Sequence, residues 1–472
     1  MLASCARARV RGVGVEAGRR TLRRVARTPR ERLVRAGRGF GGPPMIIVDT
    51  VLRRRAKEGR PIRVGMVGAG YMGRGLVRHI STSVAGMRVA AISNRHAANA
   101  ERAYTEAGLA HVRADTAGAI SAAVAGGRPV VTEDAFALIA AEGIDCLVDV
   151  TGAVEFGARV TVAAIERGLP VVTMNAELDC TVGPLLAHRA RTAGVVLTGA
   201  DGDQPAVQAN LLRFVRSLGV SPLVAGNVKG FQDEYRTPTT QQPFAKRWGQ
   251  NVRMITSFTD GTKVSFEQAI VANAFGFTVP RRGMYGRDHT GHVDELTGMY
   301  DVDELREFGG IVDYVVGAKP APGVYVLGTH DDPAQRQYLE LYKLGRGPLY
   351  SFYTPYHLCH FEVPHTVVRA VDFGDAALTP PAGPRVDVVA TAKRDLPAGT
   401  VLDGIGGYDS YGVAESHAVT RAEGLLPMGI SEGCVLRRAV ARDTVLSYAD
   451  VSLPPGRLVD ALRVEQDNLF AV

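Results

Sequence analysis

The run Gly68-Ala69-Gly70-Tyr71-Met72-Gly73 is the first feature of the chain whose residue types and spacing can do chemistry. It follows the apolar stretch Ile62-Arg63-Val64-Gly65-Met66-Val67 and leads into a helical pattern carried by Leu76, Val77 and Ile80. Strand, Gly-x-Gly-x-x-Gly turn and helix in this order form the setting that holds a dinucleotide diphosphate. Gly68 allows the tight turn, Gly70 lets the backbone approach the diphosphate, and Gly73 lets helix pack on strand. The anion then rests on the free N–H groups at the helix start, where Tyr71 and Met72 lie. A second strand, Met87–Ile92, ends in Ser93-Asn94-Arg95, with Ser93 twenty residues beyond Gly73. An NAD-selective enzyme places Asp or Glu there for the ribose hydroxyls. No carboxylate in this turn repels a 2′-phosphate, and Arg95 can pair with one, so NADPH is the expected cofactor.

Further polar residues fall at the ends of apolar runs. Ile144–Val150 reads as a buried strand ending in Thr151-Gly152, and Pro170–Met174 as another ending in Asn175-Ala176-Glu177. A third run, Val195–Gly199, opens into Ala200-Asp201-Gly202-Asp203-Gln204-Pro205. Ligands of a parallel sheet lie beyond the carboxyl ends of its strands, so Thr151, Gly152, Asn175 and Glu177 mark a nicotinamide and substrate edge. Asp201 and Asp203 complete an acidic set with Glu177. Two carboxylates two residues apart can share a cation or shift each other's pKa.

These residues need elements to position them. Strands alternating with helical patterns predict an α/β fold with an N-terminal doubly wound parallel sheet of the Rossmann type. At 472 residues, with 46% hydrophobic and 22% charged residues, the chain has room for several domains and excludes a disordered or collagen-like class. No run is long and apolar enough for a spanning helix. Residues 1–44 hold twelve Arg, two Glu and no Lys, a net of +10 against +7 for the whole chain, so the remainder carries −3. The basicity belongs to the tail, and nucleic acid and membrane are excluded as partners of the folded part. The tail can be read as a transit peptide, a phosphate-binding arm or a solvated extension; the last is adopted, with the fold beginning at Met45. A secretory signal is excluded by the lack of an apolar segment. Five scattered cysteines (Cys5, Cys146, Cys180, Cys359, Cys434) without a Cys-x-x-Cys pair fit a reducing cytoplasm and neither a disulfide frame nor a cysteine zinc site.

From about Val48 onward the order of motifs resembles the homoserine-dehydrogenase-like oxidoreductases. Within them it resembles the deoxyxylulose-phosphate reductoisomerase-like (DRL) proteins that bear a C-terminal SAF domain. The residues carrying this are Pro61–Gly65, Gly68-Ala69-Gly70, Asp149–Gly152, Met174–Glu177, Gly199–Asp203, Gly226-Asn227-Val228-Lys229, Phe258–Lys263 and Tyr356-His357-Leu358. No Asn-Gly-Thr-Thr-Asn run of true homoserine dehydrogenases is present. Residues 386–451 resemble the SAF fold, with Ala392–Leu402 echoed by Val440–Leu446. The resulting expectation is a basic extension over 1–44, a Rossmann NAD(P)-binding domain over 45–205, a central α+β substrate domain over 206–380 and a small β-rich SAF domain over 386–455. Pro380–Pro384 reads as a linker.

The resemblance implies NADPH-dependent rearrangement and reduction of 1-deoxy-D-xylulose 5-phosphate, a step of isoprenoid precursor synthesis. The alternatives on the same scaffold are a homoserine-type or sugar-acid or polyol dehydrogenase, and a non-catalytic SAF binding protein. The reductoisomerase reading assigns Lys229, after a predicted strand Leu223–Gly226, as the acid at the carbonyl oxygen, with Asp203, Glu177 and Asp201 as catalytic carboxylates. A divalent cation, Mg²⁺ or Mn²⁺, would help by gripping the ketone and hydroxyl oxygens. The family pattern has a second basic residue at the position of Asn227, which this chain lacks. Lys263 reads as the end of a hairpin and Trp248 as packing. His357, His360 and Glu362 form an H-x-x-H-x-E cluster, but on a strand the two imidazoles would face opposite sides, so no metal ligand is assigned. A small hydroxycarbonyl substrate, a homo-oligomer and a cytoplasmic location complete the expectations.

Overall fold

The computed structural model describes residues 47–471, so the predicted extension over 1–44 lies outside the described residues. Seven strands form the first sheet: β1 (Ile62–Val67), β2 (Met87–Ser93), β3 (Val112–Arg113), β4 (Val130–Thr132), β5 (Cys146–Asp149), β6 (Val171–Thr173) and β7 (Leu197–Gly199). Their order is β3-β4-β2-β1-β5-β6-β7, and every neighbouring pair is parallel. A parallel sheet has helices on both faces, so its strands are apolar on both sides. Cys146 and Val148 accordingly join the core under the helix Tyr71–Ser83, while Leu147 joins the core on the opposite face with Ile120, Leu138 and Val160. The predicted doubly wound sheet is present. From β1 the chain runs to β2 on one side, while β5 flanks β1 on the other. The turns after β1 and β5 therefore border the crevice where such sheets take their ligands.

The second sheet is mixed, as expected of a central α+β region. It holds β8 (Ser221–Lys229), β9 (Arg287–Asp288), β10 (Ile311–Val316), β11 (Gly323–Thr329) and β12 (Tyr350–Thr354), ordered β12-β11-β8-β10-β9. The helices Gln204–Ser217 and Thr262–Phe275 cover one face: Ala206, Leu212, Val264 and Val271 share a core with Ala225, Val312 and Val326. Two sequence expectations change here. The strand predicted over Leu223–Gly226 extends to Lys229, which closes β8 opposite Val316. Lys263 does not end a hairpin; it is the second residue of the helix Thr262–Phe275.

The chain then returns to the first sheet. Val363, Val367, Val368 and Ala370, expected in the central domain, pack with Val64, Met66 and Val148, and Leu378 bridges Gly199. The C-terminal part is β-rich, as predicted, with β13 (Val386–Ala392) antiparallel to β14 (Ser410–Ser416) and β15 (Val435–Leu436) antiparallel to β16 (Val451–Ser452). Leu396 forms an antiparallel bridge with Val440. This part has no core of its own: Val388, Ala390 and Leu426 pack with Val264 and Phe266 of the central helix. Among the described residues, Cys146, Cys180, Cys359 and Cys434 are free. No described helix is long and apolar enough to cross a membrane.

Candidate active site

The glycine turn has the geometry its sequence requires. Gly68 lies at φ +102°, which favours glycine, and donates its N–H to Ser93 O at 2.8 Å; a Cβ there would sit tightly, 3.1 Å from Val150. A Cβ on Gly73 would lie 2.9 Å from Gly68 O. Gly70 faces open space, with no atom within 4 Å of where a Cβ would be. The helix begun by Tyr71 has no side-chain cap, so its first N–H groups are available to an anion. Tyr71 is exposed and Met72 half-buried beside them. These features fit a nicotinamide dinucleotide diphosphate.

The turn after β2 divides its work among three residues. Ser93 is buried. Asn94 accepts the Ala69 N–H at 3.0 Å and donates to His96 O at 2.9 Å, so it braces the glycine turn rather than waiting for a ribose. Arg95 is exposed at the mouth of this turn.

On the β5 side, Thr151 donates its N–H to Asp149 Oδ1 at 2.9 Å. Gly152 adopts φ +65° with Met254 of the helix Val252–Thr259 directly above it. Asn175 is fully occupied: its Nδ2 donates to Asp149 Oδ2 and Ala153 O, and its Oδ1 caps the helix Ala176–Thr192 at Leu178 N–H. It therefore braces the strand ends, and its side chain is not free for the nicotinamide. Burial raises the Asp149 carboxyl above its usual range.

The catalytic candidates meet between the sheets. Lys263 Nζ donates to Glu177 Oε1 at 3.1 Å, and both side chains are buried. Burial acts to discharge Lys263, but the carboxylates of Glu177, Asp203 and Glu267 outweigh it and hold the ammonium above its ordinary value. Glu177 Oε2 is buried without a partner among the described residues, an energetically expensive state. Glu267 lies one helical turn after Lys263 on the same helix, so the two side chains share a face. Burial pushes the Glu267 carboxyl up to about 7 against the pull of Lys229. Burial lowers the Lys229 ammonium, opposed by Glu267 and aided by Lys263. Asn227 Nδ2 donates to Glu267 Oε2 at 3.1 Å and to Gln204 Oε1. Position 227 thus carries a hydrogen-bonded amide, and Lys263 is a second lysine close to Lys229 and Glu267.

Asp203 caps the helix Gln204–Ser217 through the Gln204 N–H at 3.1 Å and belongs to this site, near Lys263, Glu267 and His357. Asp201 does not. Its carboxylate accepts from Asn210 Nδ2 at 2.8 Å, Thr366 Oγ1 at 3.0 Å and Arg369, which ties the strand end to the returning segment. Asp201 and Asp203 therefore do not act as a pair, and a cation held by both is not supported.

The H-x-x-H-x-E cluster splits. His360 faces Gly75 and stacks near Phe361, while Glu362 accepts the Leu358 N–H at 3.3 Å. His357 turns the other way, toward Asp203 and Cys359. Trp248, expected to pack, is exposed under Arg247. Lys263 and Glu267 were the residues that sequence reasoning missed as site members. The signal open to the sequence was a Lys and a Glu four apart at the start of a segment, Lys263–Phe275, in which they are the sole charged residues.

Comparison with known proteins follows the same division. Residues 68–197 match the family described as homoserine dehydrogenase, NAD binding domain, and residues 202–363 match the family described as oxidoreductase DRL, catalytic domain. The fold and site define the class of a nicotinamide-nucleotide-dependent oxidoreductase. More particularly, the chain carries a homoserine dehydrogenase-type NAD-binding domain followed by a DRL-type catalytic domain. A 68-residue segment is 43% identical to the homoserine dehydrogenase of Corynebacterium glutamicum, a match that spans 14% of this chain and 15% of that protein. Among solved structures, a homoserine dehydrogenase from Thiobacillus denitrificans is similar at 15% identity and TM-score 0.39, over 82% of this chain and 97% of that one. A myo-inositol dehydrogenase from Lactobacillus casei, in complex with NAD(H) and myo-inositol, is similar at 15% identity and TM-score 0.36, over 62% and 74%.

Proposed function

We propose that this protein is an NADPH-dependent oxidoreductase acting on a small hydroxycarbonyl compound, with reductoisomerase chemistry on 1-deoxy-D-xylulose 5-phosphate as its sharpest form. The observation that supports the reading is the set formed by buried Lys263, Glu177 and Glu267 and half-buried Lys229, in which burial lowers the Lys229 ammonium and raises the Glu267 carboxyl. Pairs of groups whose surroundings push their pKa values toward neutrality from opposite sides suit acid and base roles in one site. Glu267, with its carboxyl at about 7, takes up a substrate hydroxyl proton near neutral pH. Lys229 stabilises the alkoxide that develops at the carbonyl oxygen and can return a proton to it. Lys263, held charged by Glu177, anchors an anionic substrate group. Bound nicotinamide supplies the hydride. Arg95, exposed beside the glycine turn and without an acidic neighbour in Ser93-Asn94-Arg95, is the basis for preferring NADPH.

The test is oxidation of NADPH by the purified full chain over deoxyxylulose phosphate, aspartate semialdehyde and several ketose acids, and reduction of NADP⁺ over homoserine, each with and without Mn²⁺ or Mg²⁺. Turnover of deoxyxylulose phosphate is the expected result. Turnover of homoserine alone would replace it with the dehydrogenase reading, and indifference to every nicotinamide cofactor would overturn both.

A further inference from the structure

Three side chains at the mouth of this site have donor types that neither the reductoisomerase reading nor the dehydrogenase reading uses together. Asp203, His357 and Cys359 each present one ligand atom, and the three atoms lie within 4.8 Å of one another. His357 Nδ1 and Cys359 Sγ are 3.4 Å apart. A tetrahedral zinc with ordinary Zn–S and Zn–N bonds separates its sulfur and nitrogen by about 3.5 Å. The two strongest donors already stand at the edge length of such a tetrahedron, and an Asp203 carboxylate oxygen lies within 4.8 Å of both.

The arrangement is held from outside the side chains. The Cys359 N–H donates to Gly202 O at 2.8 Å, which docks the segment after β12 onto the residue preceding Asp203. Gly202 lies at φ +86°, and a Cβ there would fall 2.4 Å from Cys359 O, so this approach requires glycine. Cys359 itself adopts φ +40°, an uncommon conformation for a residue with a side chain. Two segments far apart in sequence are thus locked backbone to backbone with their donors converging. The surrounding charges are mixed: Asp203, Glu267 and Glu362 face the pair, against Lys229 and Lys263.

We infer that Asp203, His357 and Cys359 form a three-ligand site for a borderline divalent transition metal of the zinc class, with an open fourth position facing Lys229. A ligand set of one thiolate, one imidazole and one carboxylate selects zinc or cobalt over Mg²⁺, which requires oxygen donors. Three protein ligands and one free position are the pattern of catalytic rather than structural zinc. Binding replaces the Cys359 S–H bond with a metal–sulfur bond, releases that proton to solvent and uses His357 as the neutral imidazole; no oxidant or reductant is involved. The metal site is argued from its own geometry, and only its use, gripping a carbonyl oxygen, rests on the proposed function.

The experiment is titration of the chelator-treated full-length protein with Co²⁺ in the absence of any nicotinamide. The expected result is one equivalent bound, visible tetrahedral bands, a near-ultraviolet thiolate-to-cobalt band, release of one proton, and displacement by Zn²⁺ but not by Mg²⁺. Cys359→Ser should remove the thiolate band. His357→Ala should weaken Co²⁺ binding by about a hundredfold or more, beyond what loss of an outer partner costs. Circular dichroism and the thermal midpoint establish that both variants are folded. If wild-type protein shows no thiolate band, or if the band survives in Cys359→Ser, the 3.4 Å approach is only a thiol–imidazole hydrogen bond and the proposal is overturned. A protein that binds Co²⁺ and ignores NADPH overturns the proposed function and leaves the metal site standing.

Discussion

The ammonium of Lys393 lies 2.9 Å from Asp260 Oδ2, and both side chains are buried. Lys393 follows β13 directly, and Asp260 lies two residues before the start of the helix that carries Lys263 and Glu267. Two more bonds reinforce the junction: Gly412 of β14 donates its N–H to Thr262 Oγ1 at 2.8 Å, and Ser265 Oγ donates to Gly412 O at 3.2 Å. The C-terminal hairpin therefore holds the helix bearing Lys263 and Glu267 by its first turn.

Removing one partner of a buried pair leaves an uncompensated charge and costs about 3–5 kcal/mol. Lys393→Met should destabilise the protein by this amount in urea unfolding. The double variant Lys393→Met/Asp260→Leu should recover most of the loss, because no buried charge remains. Equal destabilisation of single and double variants would show that the pair contributes nothing beyond packing.

Glu267→Gln keeps the shape and the bond to Asn227 but removes the proton acceptor. Loss of a general base lowers turnover by about 10²–10⁴-fold. The wild-type rate should rise as pH increases through about 7, where Glu267 loses its proton. That limb should vanish in Glu267→Gln, as a rate profile from pH 5 to 9 will show.

Arg95→Ala should weaken NADPH binding tenfold or more and leave NADH binding unchanged. A charge-assisted hydrogen bond to a 2′-phosphate contributes about 1.5–3 kcal/mol. Fluorescence titration with both cofactors decides the point, and equal weakening of the two would remove Arg95 from phosphate recognition.

A second buried network ties the C-terminal helix Leu458–Leu469 to the first domain. Asp387 accepts from Arg463 Nη1 at 2.7 Å and lies 2.6 Å from His417 Nδ1, while Arg463 also donates to Thr181 O. Burial opposes ionisation of Asp387, but Arg463 and His417 outweigh it and hold the carboxyl far below the usual carboxylate range. A depressed carboxyl contributes stability that is complete above the unfolded value near pH ~4 and is lost as pH falls toward the folded value. Urea midpoints below pH 4 should therefore fall more steeply for wild type than for Asp387→Asn. Arg463→Met should cost about 3–5 kcal/mol at pH 7.

The parts of the site that could be read from the sequence are those whose chemistry is local. The glycine turn, its strand and its helix act within a dozen residues, so residue type and spacing suffice. The strand before Lys229 was also legible, though it runs three residues further than the apolar pattern indicated. The ion pair of Lys263 with Glu177 spans 86 residues, and nothing in either neighbourhood announces the other. The same holds for Cys359 and Asp203. Asp201 and Asn175 were misplaced for the converse reason. Their types and strand-end positions fit a ligand edge, but their hydrogen-bonding capacity is already taken by Thr366 and Arg369 in one case and by Asp149 and Ala153 in the other.

The clasp at Lys393 also bears on how the polypeptide is made. A ribosome completes Asp260 long before it reaches Lys393, so for more than a hundred codons the nascent segment bearing Lys263 and Glu267 has no cation for that carboxylate and no hairpin over its first turn. Domains generally fold as they emerge, yet here the helix Thr262–Phe275 gains the clasp on its first turn only after residues 393–412 have been made. Messages cut short before codon 393 would yield products with the nucleotide turn intact and the chemistry absent.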